Sequence, residues 1–120
     1  IRKITPQGVV STWTGSSTAA ADNVDGTGTA ARFNSPQSLA IDASGQMYVI
    51  DTANISGARI RVITPQGVVS TLAGQSGHTS FQWGSLPGFI RDPIGVFFAG
   101  NTLYFTTPNT IAKITPSMPP

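Results

Sequence analysis

The chain has 120 residues, of which only 10% are charged, with a formal net charge of +2, no Cys and nine Pro. That length suits one domain able to bury a core, and the absence of Cys excludes disulfide frameworks and thiolate metal sites. The seven basic residues are scattered, so no phosphate-neutralising stripe for nucleic acid is visible, and no apolar run approaches the roughly 20 residues of a membrane span.

Ser and Thr number 27 and Gly 13, a mixture that favours short strands joined by turns over long exposed helices. Residues 1–14, IRKITPQGVVSTWT, read as two strands around a TPQG turn. The nonapeptide ITPQGVVST within them, Ile4 to Thr12, recurs at Ile63 to Thr71, and a third copy starts at Lys113 as KITP before giving way to SMPP. Identity at a fixed spacing of that size marks a repeat architecture.

The next stretch, Gly15 to Ser35, has no strong periodicity and reads as a long connection. A single helical turn is predicted at Ala30 to Phe33, tucking Phe33 onto the sheet. Asp22 and Asp25 sit in ADNVDGTG without the alternating oxygens and closing Glu of a calcium loop. DGTGTAARF has close glycines but no phosphate-loop lysine.

Residues 36–74 form one full unit of four short runs: SLAID, QMYVID, RIRVI and VVSTLAG. Turn signals separate them, predicting an antiparallel meander. In Thr64-Pro65-Gln66-Gly67, Pro65 presets the first central dihedral and Gly67 supplies a positive φ. In Asp42-Ala43-Ser44-Gly45, Asp42 opens the turn by bonding its own backbone and Gly45 closes it. Asp51 ends the second run and is expected to bond nearby backbone amides. Asn54-Ile55-Ser56 is an N-glycosylation sequon in the loop between the second and third runs, making Asn54 a candidate glycan site.

The connection Gln75 to Asp92 contains HTSFQWGSLPGFIRD. His78, Phe81, Trp83, Phe89 and Arg91 make it the candidate interaction surface, since aromatics and Arg are enriched at energetic centres of interfaces. The same rings suit sealing the space between units somewhat better than binding a partner, since aromatics bury well. A zinc site needs three or four ligands, and His78 is the single His. A Ser80, His78, Asp92 triad has no elbow motif behind it. Trp13 replaces Leu72 of the other copy and reads as packing. Residues 93–116 supply three further runs, with the first turn shortened to Gly100-Asn101.

FNSPQSLAID, GQMYVIDTAN and RIRVITPQGVVSTLAG, preceded by DGTGTAARF, resemble the NHL repeat, a β-propeller blade. The resemblance implies an all-β fold: a propeller segment of four-stranded antiparallel blades in an incomplete ring, each first strand lining the channel. Residues 1–14 correspond to strands three and four of a first blade, 36–74 to a full blade, and 93–116 to strands one to three of a third. The third unit diverges, with Thr107 at the position of Asp51. Head-to-tail joining would give five strands for a four-strand blade, so a segment of a longer propeller is expected; the start at Ile1 implies a chain that is processed, excised or the visible part of something larger. The expected function is a non-catalytic scaffold for protein interaction, with a protein partner or neighbouring blades, no cofactor, and an extracellular or cell-surface location. The alternatives are a structural subunit of a fibre or coat, and a fragment of a propeller lyase or hydrolase whose catalytic residues lie elsewhere.

Overall fold

In a computed structural model, the chain is described over residues 1–18, 20–52, 57–75, 84–86, 88 and 90–115. The described residues hold ten strands: β1 (Arg2–Ile4), β2 (Val10–Thr12), β3 (Gly26–Thr27), β4 (Pro36–Ile41), β5 (Met47–Asp51), β6 (Arg59–Ile63), β7 (Val68–Ala73), β8 (Val96–Ala99), β9 (Thr102–Thr106) and β10 (Ile111–Ile114). They make three antiparallel sheets: β1-β2, then a central sheet ordered β3-β7-β6-β5-β4, then β10-β9-β8. The four runs of residues 36–74 therefore lie side by side in chain order, as the alternation and turn signals require.

The turns explain that order. Pro65 and Gly67 sit where Thr64 N donates to Val68 O at 3.0 Å and Gly67 N donates to Thr64 O at 2.8 Å, with Gly67 at φ 84°. The first copy repeats this: Thr5 N to Val9 O at 2.9 Å and Gly8 N to Thr5 O at 2.8 Å. In both, the threonine hydroxyl also accepts from the amide four residues on. Gly67→Val should lower stability by about 1–2 kcal/mol, because a left-handed conformation costs an L-residue that much and β-branching adds to it. Urea denaturation checks this; an unchanged midpoint would contradict the turn.

At the other turn of the central sheet, the Asp42 carboxylate accepts from the amides of Ser44 (2.9 Å) and Gln46 (3.0 Å) and from the Ser44 hydroxyl (2.6 Å). Gly45 closes it at φ 86°. Burial pushes the Asp42 carboxyl upward, but the bonds from Ser44, Gln46 and Tyr48 outweigh it and hold the group below its ordinary value.

Two differences from the sequence reading appear in the stretch before β4. The helical turn is a single 3-10 turn at Gly28–Ala30, earlier than predicted at Ala30 to Phe33, while Phe33 does pack on the core. The stretch also adds a fifth strand, because Gly26 and Thr27 pair with Val69 and Val68 on the outer edge of β7. Covering that edge satisfies amides and carbonyls that would otherwise stand unpaired.

The core lies in two layers, one on each face of the central sheet. One layer joins Met47, Val49, Ile63, Val69 and Ala31 to Ile1 and Trp13 of the first hairpin and to Phe33. The other joins Tyr48, Ile50, Ile60 and Val62 to Val96, Leu103, Phe105 and Ala112 of the last sheet. Strand alternation produces this split, since odd and even positions of β5 and β6 face opposite neighbours. Tyr48 and Phe98 meet across the second layer with ring centroids 4.6 Å apart. Each sheet is thus a slab whose two faces need neighbours, the arrangement of propeller blades.

Candidate functional site

Beneath the surface, one charged network fixes the loop that leads into the central blade. Arg61 stands in β6 with its side chain fully buried. Its Nη1 donates to Asp51 Oδ2 at 3.1 Å and to Arg32 O at 3.0 Å, and its Nη2 to Asp25 Oδ1 at 2.9 Å. The guanidinium carbon lies 5.0 Å from the Phe33 ring centroid. Asp51, also fully buried, accepts from Asn34 N (3.0 Å) and Ser35 N (2.7 Å), and Asp25 accepts from the Thr71 hydroxyl (3.0 Å). Mutual bonds between Val24 and Arg32 close the loop that carries Asp25. Charge burial of this kind is tolerated only with paired and hydrogen-bonded groups.

Asp51 thus bonds backbone amides, and its buried cationic partner is what sequence reasoning missed. A signal was present. Register places Ala112 opposite Phe105 where Arg61 stands opposite Val49, so Ala112 occupies the Arg61 position and Thr107 the Asp51 position. The third unit has lost both charges together, which marks them as a pair. Asp22 makes a 4.0 Å contact with half-buried Arg32 and accepts from the Asn23 amide. Asp22 therefore serves the loop's own geometry, and Asp25 ties the loop to β6 and β7.

Among the recesses on the described surface, two bear on the residues singled out above. One, of about 360 Å³, is lined by Arg91, Asp92, Thr107, Pro108 and Asn109. Arg91 Nε donates to Asp92 Oδ2 at 3.1 Å, with both side chains well exposed. Asp92 is the one non-glycine residue with positive φ (48°) among the described residues, a conformation that Asp adopts more readily than most. The other recess, of about 320 Å³, is lined by Arg2, Lys3, Trp13, Ile41, Gly45, Met47 and Pro65. It runs between the first hairpin and the turn end of the central sheet. Of the candidate interaction surface, Arg91 stands at the first recess. His78, Phe81, Trp83 and Phe89 lie outside the described residues, as does the sequon at Asn54. Among the described residues, no three His, Asp or Glu side chains gather as a metal-binding group, and no helix is long and apolar enough to cross a membrane.

The identical nonapeptides have unlike surroundings. Ile63 is 0% exposed and Val69 2%, whereas Ile4 is 68% and Val10 57% exposed. Arg61 is buried and Arg2, its counterpart, is exposed. The local fold is the same in both hairpins; only the first lacks a neighbour on that face among the described residues.

Comparison with known proteins agrees with this architecture. A structural genomics protein of unknown function from Bacteroides thetaiotaomicron VPI-5482 superposes with a TM-score of 0.80 at 28% identity. The match covers 93% of this chain and 28% of that one, so the chain spans little more than a quarter of that protein's length. No curated protein matches the chain by sequence. The profile of the teneurin NHL domain matches residues 22–90, more than half of the chain and the part that holds the full four-run unit. The chain belongs to the teneurin NHL domain family, and its sheets are blades of an NHL β-propeller.

Proposed function

We propose that the chain is a segment of a longer NHL propeller that serves as a non-catalytic scaffold for protein interaction in an extracellular or cell-surface protein. The observation that carries this is the contrast between the two nonapeptides. A sheet face made of the same residues is buried where a neighbouring segment covers it and bare where none does. Exposed Ile111 (73%) adds an uncovered position at the other end of the chain. Faces of this kind are built to be covered by polypeptide.

The non-catalytic part of the reading is supported by how the carboxylates are used. The chain has five Asp and no Glu. All five are engaged inside it, Asp22 with Asn23 and Arg32, Asp25 and Asp51 with Arg61, Asp42 with its own turn, and Asp92 with Arg91. Groups held this way shape loops. The extracellular part rests on the family match and on the sequon at Asn54; a mass shift removed by Asn54→Gln in the secreted protein would support it, and unmodified Asn54 would count against it.

The aromatic connection is the proposed partner surface. Immobilised chain should retain a protein from the secreted fraction of its source, and Trp83→Ala should lose it while Tm stays the same. Equal affinity would return Trp83 to the core. The open blade edges also suit the fibre or coat reading, and size analysis separates the two: a soluble monomer counts against assembly.

A further inference from the structure

The same junction leads into the first strand of two blades, and the chain holds it in two ways. Leu39 stands opposite Val49 in β4 as Val96 stands opposite Phe105 in β8. Pro36 and Pro93, three residues earlier, therefore hold equivalent places, and Ser35 corresponds to Asp92. In the full blade the Asp51 carboxylate accepts from Asn34 N at 3.0 Å and Ser35 N at 2.7 Å, and Ser35 keeps a negative φ. In the third unit Thr107 stands in place of Asp51, and Asp92 turns to φ 48°. A proline after it adds to the cost, because the ring pushes the residue before it toward extended backbone. Pro93 is fully buried, so shifting the ring cannot relieve Asp92. We propose that Asp92-Pro93 is a self-cleaving peptide bond, at which the Asp92 carboxylate splits the chain between the full blade and the next.

The groups for such a step are in place. Arg91 Nε holds Asp92 Oδ2 at 3.1 Å, and Oδ1 has no partner among the described residues. Oδ1 adds to the Asp92 carbonyl carbon and closes a cyclic anhydride. The C–N bond to Pro93 breaks, and its electron pair stays on the Pro93 nitrogen, which takes a proton from solvent. That nitrogen leaves more readily than other main-chain nitrogens because its ring makes it more basic. Water then opens the anhydride, returning the Asp92 side-chain carboxylate together with a new α-carboxylate. The sum is hydrolysis of one amide by one water, with nothing oxidised or reduced. Strain favours the forward direction, since breaking the bond releases Asp92 from its left-handed conformation. Asp92 is exposed beside the recess of about 360 Å³, which admits water and gives the freed end room to swing away.

Asp92 stands apart from the other four Asp, none of which precedes a proline. The fragments would stay together after the cut, because Val96, Leu103 and Phe105 remain packed on Tyr48, Ile50 and Ile60. The reaction occurs once per chain and turns over no substrate. It goes beyond the scaffold reading and adds a processing step to it, giving a propeller of two chains held by a shared core.

The test holds the purified chain in mildly acidic buffer, with circular dichroism showing that it stays folded, and samples it by denaturing electrophoresis and mass spectrometry. The expected products are residues 1–92 with a free α-carboxylate and a fragment beginning at Pro93. Asp-Pro bonds break slowly in acid even when relaxed, so the decisive quantity is a ratio of rates. The folded chain should cleave about tenfold faster than the urea-unfolded chain, and than a synthetic peptide of residues 90–96, at the same pH, the rate equivalent of the released strain. Asp92→Asn should abolish this fast cleavage and keep the wild-type Tm, since Asn adopts the left-handed region as readily as Asp. No cleavage, equal or slower cleavage in the folded chain, cuts only at other bonds, or wild-type cleavage in Asp92→Asn would overturn the proposal.

Discussion

Replacing Arg61 with Met should lower the free energy of unfolding by about 3–5 kcal/mol, the usual result of removing one partner from a buried ion pair. The substitution keeps most of the side-chain volume, so the loss is electrostatic. Asp51 would remain fully buried without its cation, and the loop that carries Asp25 would lose its anchor on Arg61. Two effects should accompany the loss: faster proteolysis in residues 22–33, and a lower urea midpoint with unchanged slope. A second variant separates pairing from packing. Arg61→Met with Asp51→Leu should recover part of the loss, because no charge is left buried. Recovery should be incomplete, since the amides of Asn34 and Ser35 would lose their acceptor. The third unit has made a similar exchange: Ala112 faces Phe105, and the Thr107 hydroxyl donates to Thr110 O at 3.4 Å. A midpoint for Arg61→Met equal to wild type would mean that the network contributes nothing.

Gly74→Ala should cost about 3 kcal/mol or more. Gly74 follows β7 at φ 89°, after a register shift in which Ala73 faces Ile60 and Thr71 faces Arg61. The left-handed conformation alone costs an alanine about 1–2 kcal/mol. A Cβ there would also collide with the carbonyl oxygen of Ala58 and press on Arg59 Cα. That contact is backbone against backbone, so relief requires moving the start of β6, with an overpacking cost of about 1–3 kcal/mol. Gly67→Ala is the control. It has nearly the same φ of 84°, but a Cβ there meets its nearest neighbour, Trp13 O, at an ordinary 3.6 Å. Gly67→Ala should therefore show the conformational cost alone. Equal losses at the two positions would refute the close approach at Ala58.

Much of the blade was legible because its signals are local. QMYVID and RIRVI carry strand-forming residues, and each turn carries the proline, glycine or aspartate that its geometry needs, so order and pairing followed. Strand β3 was not legible: two residues give no alternation and Gly26 weakens a strand, and they pair because the β7 edge lies beside them. Arg61 was read as a strand residue without its inward aim, since alternation gives two faces and does not say which is core. Burial of Ile63 and exposure of Ile4 could not be read from ITPQGVVST at all. The words are the same, and the difference lies in Phe33, Trp13, Met47 and Val49, which converge on only one copy. Arg91 stands at a recess, but its aromatic companions in the connection lie outside the described residues, so the candidate surface rests on composition.

Amide hydrogen exchange at Thr5 and Thr64 tests most directly whether neighbouring blades, and not the hairpin's own sequence, hold this fold. Both follow Ile and precede Pro, so their intrinsic exchange rates match, and both donate to equivalent carbonyls at 2.9 and 3.0 Å. The Thr64 amide should exchange on the order of a hundredfold more slowly or better, since opening it must break a covered core while the first hairpin frays alone. Rates within about threefold of each other would contradict a blade stabilised by its neighbours.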